Sequence, residues 1–385
     1  MSRFRMNKNY EVIIIGAGPS GATLAFELAN HGVKVLVIDK ATFPRYKCCG
    51  GGLTFKAATL LGEDVTSIIE NSVSGAVLAF SGAGYHRANY GQIIMYTIKR
   101  ENLDYLLLQK AEKAGAEILQ GITFESLSSN DDHVEVSTSD GDYKSQFVIG
   151  ADGSRSIVAS SVNYGGYDDI VGIQTEISVG NKDLEKWQSQ VVIDLGRTSD
   201  GYAWLFPYKE SLSTGIASFK TKDKDLKNGF RQFLMSLDIN QYKIIRQSGG
   251  IISICKGRPC VTRGRLALLG DAAGLADPHT GEGLFNAILS AKLATPVIEK
   301  ALLQNGDNLD NYQQLIDENI TTQIETARTF SRILRMIPGK LFNLAKDDDR
   351  IWNTACALVR GETTYTAIKE RIIALGGLYA ILFRN

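Results

Sequence analysis

The chain has 385 residues, of which 44% are apolar and 22% are charged, and its 42 basic residues balance its 42 acidic ones. This composition is typical of a folded globular protein and excludes a disordered or collagen-like chain. Because the formal net charge is zero, no global basic field favours nucleic acid as a partner, and a charged ligand must be bound locally. The five cysteines show no regular spacing, which favours a reducing cytoplasm over a secreted disulfide framework.

The length and hydropathy limit the architecture further. At roughly 100 to 200 residues per domain, the chain is expected to form two or three compact units. No apolar run reaches the ~18 residues that a bilayer-spanning helix needs, so we expect no transmembrane segment. The segment 372–383 is nearly all apolar but too short to cross a bilayer, and it predicts either a buried terminal helix or an anchor at a membrane surface.

The first elements predict a nucleotide-binding unit. Residues 10–40 read as strand, glycine turn, helix and strand, which is the order that a parallel sheet needs. Within the turn, Gly16 permits the tight bend, Gly18 lets the backbone approach a pyrophosphate, and Gly21 lets the helix pack against the strand. Asp39 ends the second strand, where its carboxylate can accept hydrogen bonds from an adenosine ribose. The pattern therefore predicts a bound dinucleotide.

Further along the chain, the periodicity predicts a second kind of sheet. The helix Glu101–Ala114 and the strands Glu117–Leu119 and Phe147–Gly150 extend the parallel sheet. Residues 171–219 instead show the alternating, aromatic-rich strands of an antiparallel sheet, and the strand Leu266–Leu269 returns to the first domain. The predicted segments are 1–75, 99–165 and 256–305 for the nucleotide domain, 76–98 and 166–255 for a substrate domain, and 306–385 for a helical C-terminal region.

Two acidic turns indicate which dinucleotide is bound. Asp152 and Asp271 each follow the end of a strand, where the chain can meet a cofactor. Gly281 and Gly283 then precede a helix that starts near Leu284, whose N-terminus would stabilise negative charge on a bound ring system. Together with the glycine triplet, these turns resemble the three cofactor fingerprints of the FAD-dependent family that includes the aromatic hydroxylases. That resemblance implies FAD, with Asp271 binding its ribityl chain.

Three longer segments narrow the resemblance. They are FPRYKCCGGGL at 43–53, YAWLFP at 202–207 and DPHTGEG at 277–283, and in this order they resemble segments of the geranylgeranyl reductases. The resemblance implies an α/β fold in which a Rossmann-type FAD-binding domain carries an inserted antiparallel-sheet substrate domain and a helical C-terminus. The residues that it implies as FAD contacts are Gly21, Asp39, Cys49, Gly50, Gly52, Arg100, Phe124 through its backbone, Asp271, Gly283 and Leu284.

The segment around Cys49 is a candidate catalytic loop. Gly50 to Gly52 carry no side chains, so a substrate or a flavin ring could approach the backbone closely. Cys49, beside these glycines and Lys47, could deliver a proton, although an isolated cysteine is often only a small buried apolar residue. We assign the role to Cys49 rather than to Cys48 because Cys49 directly precedes the glycines.

The aromatic segment is a candidate substrate-binding surface. Tyr202, Trp204 and Phe206 alternate along one predicted strand, so their side chains share a face. Pro207 is expected to end this strand at a sheet edge, where the aromatic face would border an apolar cavity for an isoprenoid chain. A core sheet shows the same alternation, so the pattern alone leaves both interpretations open. Tyr202 is a second candidate proton donor.

The resemblance implies a reaction, and two rival functions stay open. It implies that reduced FAD saturates isolated double bonds of a geranylgeranyl chain on a lipid or a diphosphate. An FAD-dependent monooxygenase or halogenase shares the nucleotide fingerprints, and a non-catalytic flavin-dependent binder of prenyl lipids would share the pocket. The electron donor stays open between ferredoxin and NAD(P)H.

The remaining features concern metals and membranes. Four histidines without ligand spacing predict no metal site. From residue 331 onward the chain has nine basic and five acidic residues beside apolar ones, among them Ile337, Leu341, Phe342 and Trp352. We favour amphipathic helices that pack on the protein, with peripheral contact to anionic lipid as the alternative. We accordingly expect a cytoplasmic protein.

Overall fold

The computed structural model describes residues 9–80, 84–162, 166–198, 200–219 and 226–374. The chain divides into two compact units, each built from three segments. The first unit comprises Met1–Lys47, Arg100–Asp169 and Ile252–Thr321, and the second comprises Cys48–Lys99, Ile170–Ile251 and Thr322–Asn385. The first segment of the first unit therefore ends well before residue 75, and the helices from Thr322 onward group with the second unit.

The strands are numbered in chain order. They are β1 (Asn9–Ile15), β2 (Val35–Asp39), β3 (Gly52–Thr54), β4 (Ile69–Val73), β5 (Gly75–Phe80), β6 (Gly84–Asn89), β7 (Met95–Ile98), β8 (Glu117–Gln120), β9 (Phe124–Ser129), β10 (Val134–Thr138), β11 (Gly141–Gly150), β12 (Tyr167–Ser178), β13 (Gln190–Asp194), β14 (Gly201–Pro207), β15 (Leu212–Ser218), β16 (Lys243–Cys255), β17 (Thr262–Arg263) and β18 (Leu266–Leu268).

The α-helices are numbered in the same way. They are α1 (Pro19–Asn30), α2 (Phe55–Leu61), α3 (Arg100–Lys113), α4 (Ile157–Ser161), α5 (Asn181–Trp187), α6 (Leu226–Ser236), α7 (Leu284–Leu303), α8 (Asp310–Ile316), α9 (Thr322–Met336), α10 (Pro338–Asp347), α11 (Asp349–Arg360) and α12 (Tyr365–Ala374).

The first unit is organised around a parallel sheet. Its main path runs β17-β18-β11-β1-β2-β8, and β9 and β10 extend it through β11. The central strand β1 pairs in parallel with β2 on one side and β11 on the other, with Ile14 facing both Val37 and Ile149. Strand order reverses at β1, and in sheets of this type ligands bind beyond the carboxyl end of the strand at such a reversal.

The helix after β1 is shaped by its own sequence. Gly18 is the N-cap residue and Pro19 occupies the first turn, where its fixed φ suits a helix start and its missing N–H leaves no bond unmade. Helix α1 is buried along most of its length because α3 and α7 of the same unit pack against it. Apolar layers on both faces explain why β1 and β2 are continuous Val, Ile and Leu runs rather than alternating ones.

The second unit contains a seven-stranded sheet in the order β16-β12-β15-β14-β13-β5-β6. Its pairs are antiparallel where β14 meets β13 and β15, but β13 pairs with β5 in parallel. Strand β14 therefore lies inside the sheet, and the expectation that Pro207 ends a strand at a sheet edge is wrong. Pro207 is tolerated there because it is the last residue of β14, opposite Leu212 at the end of a hairpin.

The C-terminal helices pack on the second unit. Phe342 of α10 and Cys356 of α11 are both buried, and the Arg360 guanidinium lies 4.2 Å from the ring centroid of Phe55. No helix within the described ranges is long and apolar enough to span a bilayer. Of the apolar segment 372–383, residues from 375 onward lie outside the described ranges. The predicted fold class, a Rossmann-type domain with an inserted, mainly antiparallel sheet and a helical C-terminus, is confirmed.

Candidate functional site

The three glycines of the β1–α1 turn differ in what their missing side chains face. A Cβ on Gly16 would lie 2.3 Å from the Ala151 carbonyl oxygen, and a Cβ on Gly21 would lie 1.9 Å from the Gly16 carbonyl oxygen. Packing within the protein therefore explains why residues 16 and 21 are both glycines. A Cβ on Gly18 would meet no atom within 4 Å, and its φ of −71° is open to any residue. Packing within the protein therefore does not require this third glycine, which stays a prediction for close approach of a ligand to the backbone.

The carboxylate of Asp39 is held by the backbone at the end of β2. Ala17 donates its N–H to Oδ2 and Ala41 donates its N–H to Oδ1, both at 2.8 Å. A carboxylate can accept about four hydrogen bonds, so each oxygen keeps a further lone pair for ribose hydroxyls. These two amides fix the orientation of the side chain beside the glycine turn.

Asp152 and Asp271, which the sequence groups as acidic turns, have different surroundings. The Asp152 carboxylate accepts hydrogen bonds from the Ser156 hydroxyl at 2.5 Å and the Ile157 amide at 2.8 Å, so it caps α4. Asp271 receives a hydrogen bond from the Ser154 hydroxyl at 3.4 Å. Burial raises the pKa of Asp271, while nearby Arg100, Lys47 and Ser154 act in the opposite direction. Asp271 thus keeps acceptor capacity that Asp152 uses within the fold.

Gly281, Gly283 and Leu284 form the start of α7. Gly281 has a φ of +71°, a region that favours glycine, and a Cβ on Gly283 would lie 3.0 Å from Asp271 Oδ1. Gly283 is the N-cap residue of this 20-residue helix, and no side chain in the described part of the chain caps it. Leu284 is buried, which leaves its backbone as the group that could contact a ligand.

Arg100 and Phe124 are both fixed within the first unit. Arg100 makes a two-point ion pair with the fully buried Asp104, at 2.8 and 2.9 Å, and Arg45 lies 3.0 Å from the same carboxylate. The two arginines and one aspartate carry a net positive charge, which suits an anionic cofactor. The ring of Phe124 is buried at the start of β9, opposite Thr138, so only its backbone could serve the adenine contact.

In the second unit, the aromatic face of β14 is continuous. The ring centroids of Tyr202 and Trp204 are 6.1 Å apart, and those of Trp204 and Phe206 are 6.5 Å apart. Gly215 on β15 allows the indole to lie flat across the sheet, because a Cβ there would be 2.3 Å from Trp204 Cζ2. Tyr202 and Phe206 are partly exposed, whereas Trp204 and Pro207 are buried.

The glycine loop after Cys49 packs directly against this aromatic face. A Cβ on Gly50 would lie 3.0 Å from Trp204 Nε1, and a Cβ on Gly52 would lie 3.1 Å from the Phe206 ring. The Trp204 and Phe206 rings therefore crowd the position of a side chain at 50, and Phe206 together with the Met95 methyl group, 2.6 Å away, crowds that at 52. Gly51, with a φ of +88°, would place a Cβ 2.2 Å from the Tyr208 hydroxyl. The absent side chains of this loop make room for the protein's own aromatic rings.

The two adjacent cysteines have different partners. The Gly51 amide donates to Cys49 Sγ at 3.4 Å, whereas Cys48 Sγ donates to the Ser248 carbonyl oxygen at 3.7 Å. A Cβ on Gly250 would lie 2.9 Å from Cys48 Sγ, so Cys48 is packed on β16. Cys49 is thus the cysteine associated with the glycine loop.

The comparisons with known proteins agree with this arrangement. The profile described as FAD binding domain matches residues 9–225. The chain belongs to this FAD-binding family. An uncharacterized protein of Methanosarcina barkeri is 31% identical over 302 residues, covering 77% of this chain and 76% of that protein. The digeranylgeranylglycerophospholipid reductase of Thermoplasma acidophilum is 28% identical over 347 residues, covering 81% of this chain and 84% of that reductase.

Solved structures show that the whole FAD-binding chain shares a known fold. A geranylgeranyl bacteriochlorophyll reductase-like protein of Thermoplasma acidophilum superposes with a TM-score of 0.77 at 24% identity, over 96% of this chain and 99% of that chain. A flavin-dependent brominase superposes with a TM-score of 0.76 at 17% identity, over 92% and 94%. Both likenesses concern the fold. The predicted resemblance to geranylgeranyl reductases is confirmed by the named relatives, and the chain is an FAD-dependent oxidoreductase.

The residues of the first unit fit FAD. Open space at Gly18, spare acceptor capacity on Asp39 and Asp271, and the uncapped start of α7 match the pyrophosphate, the hydroxyls and the ring system of this cofactor. Within the described ranges, no group of three or more His, Cys, Asp or Glu residues could hold a metal ion. The cofactor-binding assignments of the individual residues remain predictions.

Several residues near these sites carry no sequence signal of their own. Ser154, Asp104 and Gly215 contact Asp271, Arg100 and Trp204, respectively, in the folded units. Ser154 and Asp271 are 117 residues apart, whereas Gly215 faces Trp204 from the next strand of the same hairpin. Asp104 could have been found because it is four residues after Arg100 on a predicted helix, where such pairs meet.

Replacing Asp271 with asparagine is expected to make the apoprotein more stable and FAD binding weaker. Because burial raises the pKa of Asp271, its ionised form destabilises the folded apoprotein as pH rises through that pKa. The apoprotein of Asp271→Asn should therefore be more stable than the wild type at pH 8, and the difference should shrink as the pH is lowered toward the ordinary aspartate pKa of 3.8. FAD should bind about tenfold more weakly, because an amide accepts weaker hydrogen bonds than a carboxylate.

Thermal unfolding of both apoproteins across this pH range, with FAD titration at neutral pH, measures the two effects. The exposed Asp132→Asn variant controls for the loss of one negative charge and should change neither quantity. A less stable Asp271→Asn apoprotein at pH 8 would contradict the argument from burial.

Proposed function

We propose that this FAD-dependent oxidoreductase saturates isolated double bonds of a geranylgeranyl chain carried on a lipid or a diphosphate. One observation carries the proposal. Two of the segments that resemble geranylgeranyl reductases are the cysteine-glycine loop (residues 48–52) and the aromatic segment of β14 (residues 202–207). They are distant in sequence but in direct contact, because a side chain on Gly50 would face Trp204 and Phe206. The relative named as a digeranylgeranylglycerophospholipid reductase supports the same substrate class.

The composition of the aromatic face suits an apolar substrate. Tyr202 and Phe206 offer partly exposed ring surfaces, and Phe206 also packs against an apolar cluster that includes Met95, Val191 and Cys356. An isolated alkene is a poor hydride acceptor, so its reduction passes through a transition state with positive charge on carbon. Aromatic faces attract positive charge, and apolar walls keep water away from it. This face would therefore both bind a prenyl chain and favour its reduction.

The proposed reaction needs a hydride and a proton. When bound and reduced, FAD supplies the hydride, and the proton goes to the neighbouring carbon, so that the alkene gains two electrons and two hydrogens. Gly16, Gly18, Gly21 and Asp39 would hold the cofactor, together with Arg100, Phe124, Asp152, Asp271, Gly281, Gly283 and Leu284. Cys49 is our first candidate proton donor because the Gly51 amide fixes its sulfur within the loop. Tyr202, partly exposed on the aromatic face, is the second.

The partners outside the reaction follow from this chemistry. A two-electron reduction requires a donor that returns FAD to its reduced state, and ferredoxin and NAD(P)H are both candidates. A prenyl lipid would bring the protein to a membrane surface, where peripheral contact would suffice. Both statements are predictions that depend on the substrate assignment.

Anaerobic turnover tests the proposal directly. Dithionite-reduced protein is mixed without oxygen with geranylgeranyl diphosphate and, separately, with a geranylgeranylated glycerophospholipid in mixed micelles. The expected result is oxidation of the flavin with a product that has gained two hydrogens per saturated bond in mass spectrometry. The control is the same reduced protein in buffer and micelles without either prenyl compound, which should stay reduced.

Two other outcomes would overturn the proposal in favour of a rival. Oxygen consumption with NAD(P)H that yields a hydroxylated or, with halide present, a halogenated aromatic product would identify a monooxygenase or halogenase. Tight binding of prenyl compounds without any flavin oxidation would identify a non-catalytic binder.

A further inference from the structure

Some backbone groups of the cysteine-glycine loop have hydrogen-bond partners and others do not. The carbonyl oxygens of Gly50 and Gly51 and the Gly51 amide all have partners within the second unit. No acceptor within the described ranges receives the amide N–H of Cys49 or Gly50, and both residues are partly exposed. Within the described part of the chain, the loop therefore has two amide donors without an acceptor, while the carbonyl oxygens of Gly50 and Gly51 are hydrogen-bonded.

Two buried hydroxyls hold the Gly50 carbonyl oxygen. The Ser213 hydroxyl donates to it at 2.8 Å, and the Tyr208 hydroxyl donates to it at 3.4 Å. Ser213 is fully buried and Tyr208 is 4% exposed, so water does not compete for these bonds. Both residues come from the β14–β15 hairpin, the same hairpin that carries the aromatic face. One rigid element thus positions both the loop and the rings.

The two hydroxyls are themselves fixed by their surroundings. The Gln174 amide donates to Ser213 Oγ at 3.3 Å, which leaves the Ser213 hydrogen for Gly50. The Lys99 ammonium lies 5.3 Å from the centroid of the Tyr208 ring. The Gly51 backbone lies so close to the Tyr208 hydroxyl that a Cβ on Gly51 would clash with it. The Gly51 carbonyl oxygen accepts a hydrogen bond from the Ile98 amide at 2.8 Å. The hydrogen bonds to the Gly50 and Gly51 carbonyl oxygens therefore hold the loop without involving the Cys49 side chain.

We infer that Ser213 and Tyr208 are positioning residues that fix the cysteine-glycine loop, so that Cys49 and the free amides of Cys49 and Gly50 keep one orientation toward a ligand. For prenyl reduction this inference rests on the proposed function, since it assigns the loop to the reaction. A shorter hydrogen bond is the stronger one, so Ser213 should contribute more than Tyr208. Neither residue needs to contact the substrate.

Hydrogen exchange of the FAD-bound protein measures the loop without any substrate. In Ser213→Ala, the Gly51 amide, which has a partner in the loop, should exchange about three- to tenfold faster, because loss of one neutral hydrogen bond changes an opening equilibrium by that factor. Tyr208→Phe should show a smaller increase. Ser211→Ala is the matched control, since Ser211 is a buried serine of the same hairpin that bonds to Glu176 at 2.7 Å instead of to the loop. It should exchange like the wild type.

Turnover then links the loop to the reaction. The kcat for prenyl reduction should fall in the same order, Ser213→Ala more than Tyr208→Phe and Ser211→Ala unchanged, with KM for the prenyl compound near the wild-type value. Equal loop exchange in Ser213→Ala and Ser211→Ala would overturn the inference, whatever the enzyme reduces. Faster loop exchange in a protein whose wild type reduces no prenyl compound would support the positioning role while the proposed function fails.

Discussion

Gly18→Ala is expected to weaken FAD binding at least about tenfold and to leave the apoprotein folded. A Cβ at this position meets no protein atom within 4 Å, and its φ of −71° and ψ of −177° are accessible to alanine. The added methyl group would instead occupy the space that a pyrophosphate needs beside the start of α1. Titration of the apoprotein with FAD, followed by flavin fluorescence, gives the affinity, and thermal unfolding without FAD gives the stability.

Two variants separate the cofactor effect from a helix effect. Gly180 is also an N-cap glycine with extended backbone and no atom near its Cβ position, so Gly180→Ala reports the cost of alanine at an N-cap, about 1 kcal/mol or less. Gly21→Ala should destabilise the apoprotein severely, because its Cβ would lie 1.9 Å from the Gly16 carbonyl oxygen. Unchanged FAD affinity in Gly18→Ala would show that the cofactor does not approach this turn.

The contrast among these glycines shows how far the sequence could predict the cofactor site. The spacing of Gly16, Gly18 and Gly21 after a strand was sufficient to predict the turn, the helix and the class of ligand, since all three lie within one local element. The sequence assigns each glycine a role by analogy, whereas the structure shows two required by packing and one that packing leaves free. That distinction depends on Ala151, which reaches the turn only through the pairing of β1 with β11.

The glycines at positions 50 to 52 show what the sequence could not predict. From the sequence, Gly50 and Gly52 predict a bare loop that a ligand can approach, because an absent side chain has no visible partner. In the structure, Trp204, Phe206 and Met95 crowd those positions. A pattern within one segment cannot reveal that its neighbour comes from a strand about 150 residues away, so contacts of this kind need the folded chain.

Sheet topology limits sequence prediction for the same reason. The alternation of Tyr202, Trp204 and Phe206 predicts a strand with one aromatic face, and β14 has it. The position of that strand within the sheet follows from its pairing with β13 and β15, which the alternation does not encode. Pro207 suggested an edge, but a proline at the last position of an interior strand costs no ladder bond. Local pattern therefore predicts the element better than its place in the sheet.

Cys49→Ser is expected to slow alkene reduction about a hundredfold or more, with FAD still bound, whereas Cys48→Ser should leave the rate near that of the wild type. Serine keeps the size of the side chain, but its hydroxyl is a much weaker acid than a thiol, so a proton donor is lost without opening a cavity. The surroundings of the two sulfurs support the distinction. Cys49 Sγ accepts the Gly51 amide within the loop, whereas Cys48 Sγ donates to Ser248 on β16 and packs against Gly250.

Single-turnover oxidation of reduced FAD by a prenyl substrate, without oxygen, measures both variants under the same conditions. Matching flavin content in the two proteins ensures that a slow rate reflects proton delivery and not loss of cofactor. Equal rates in the two variants would mean that Cys49 only shapes the loop, and Tyr202→Phe would then be the next variant to test as the proton donor. A larger loss in Cys48→Ser would place the reactive thiol one residue earlier in the chain, on the side that faces β16, and would contradict the role that we assign to the glycine loop.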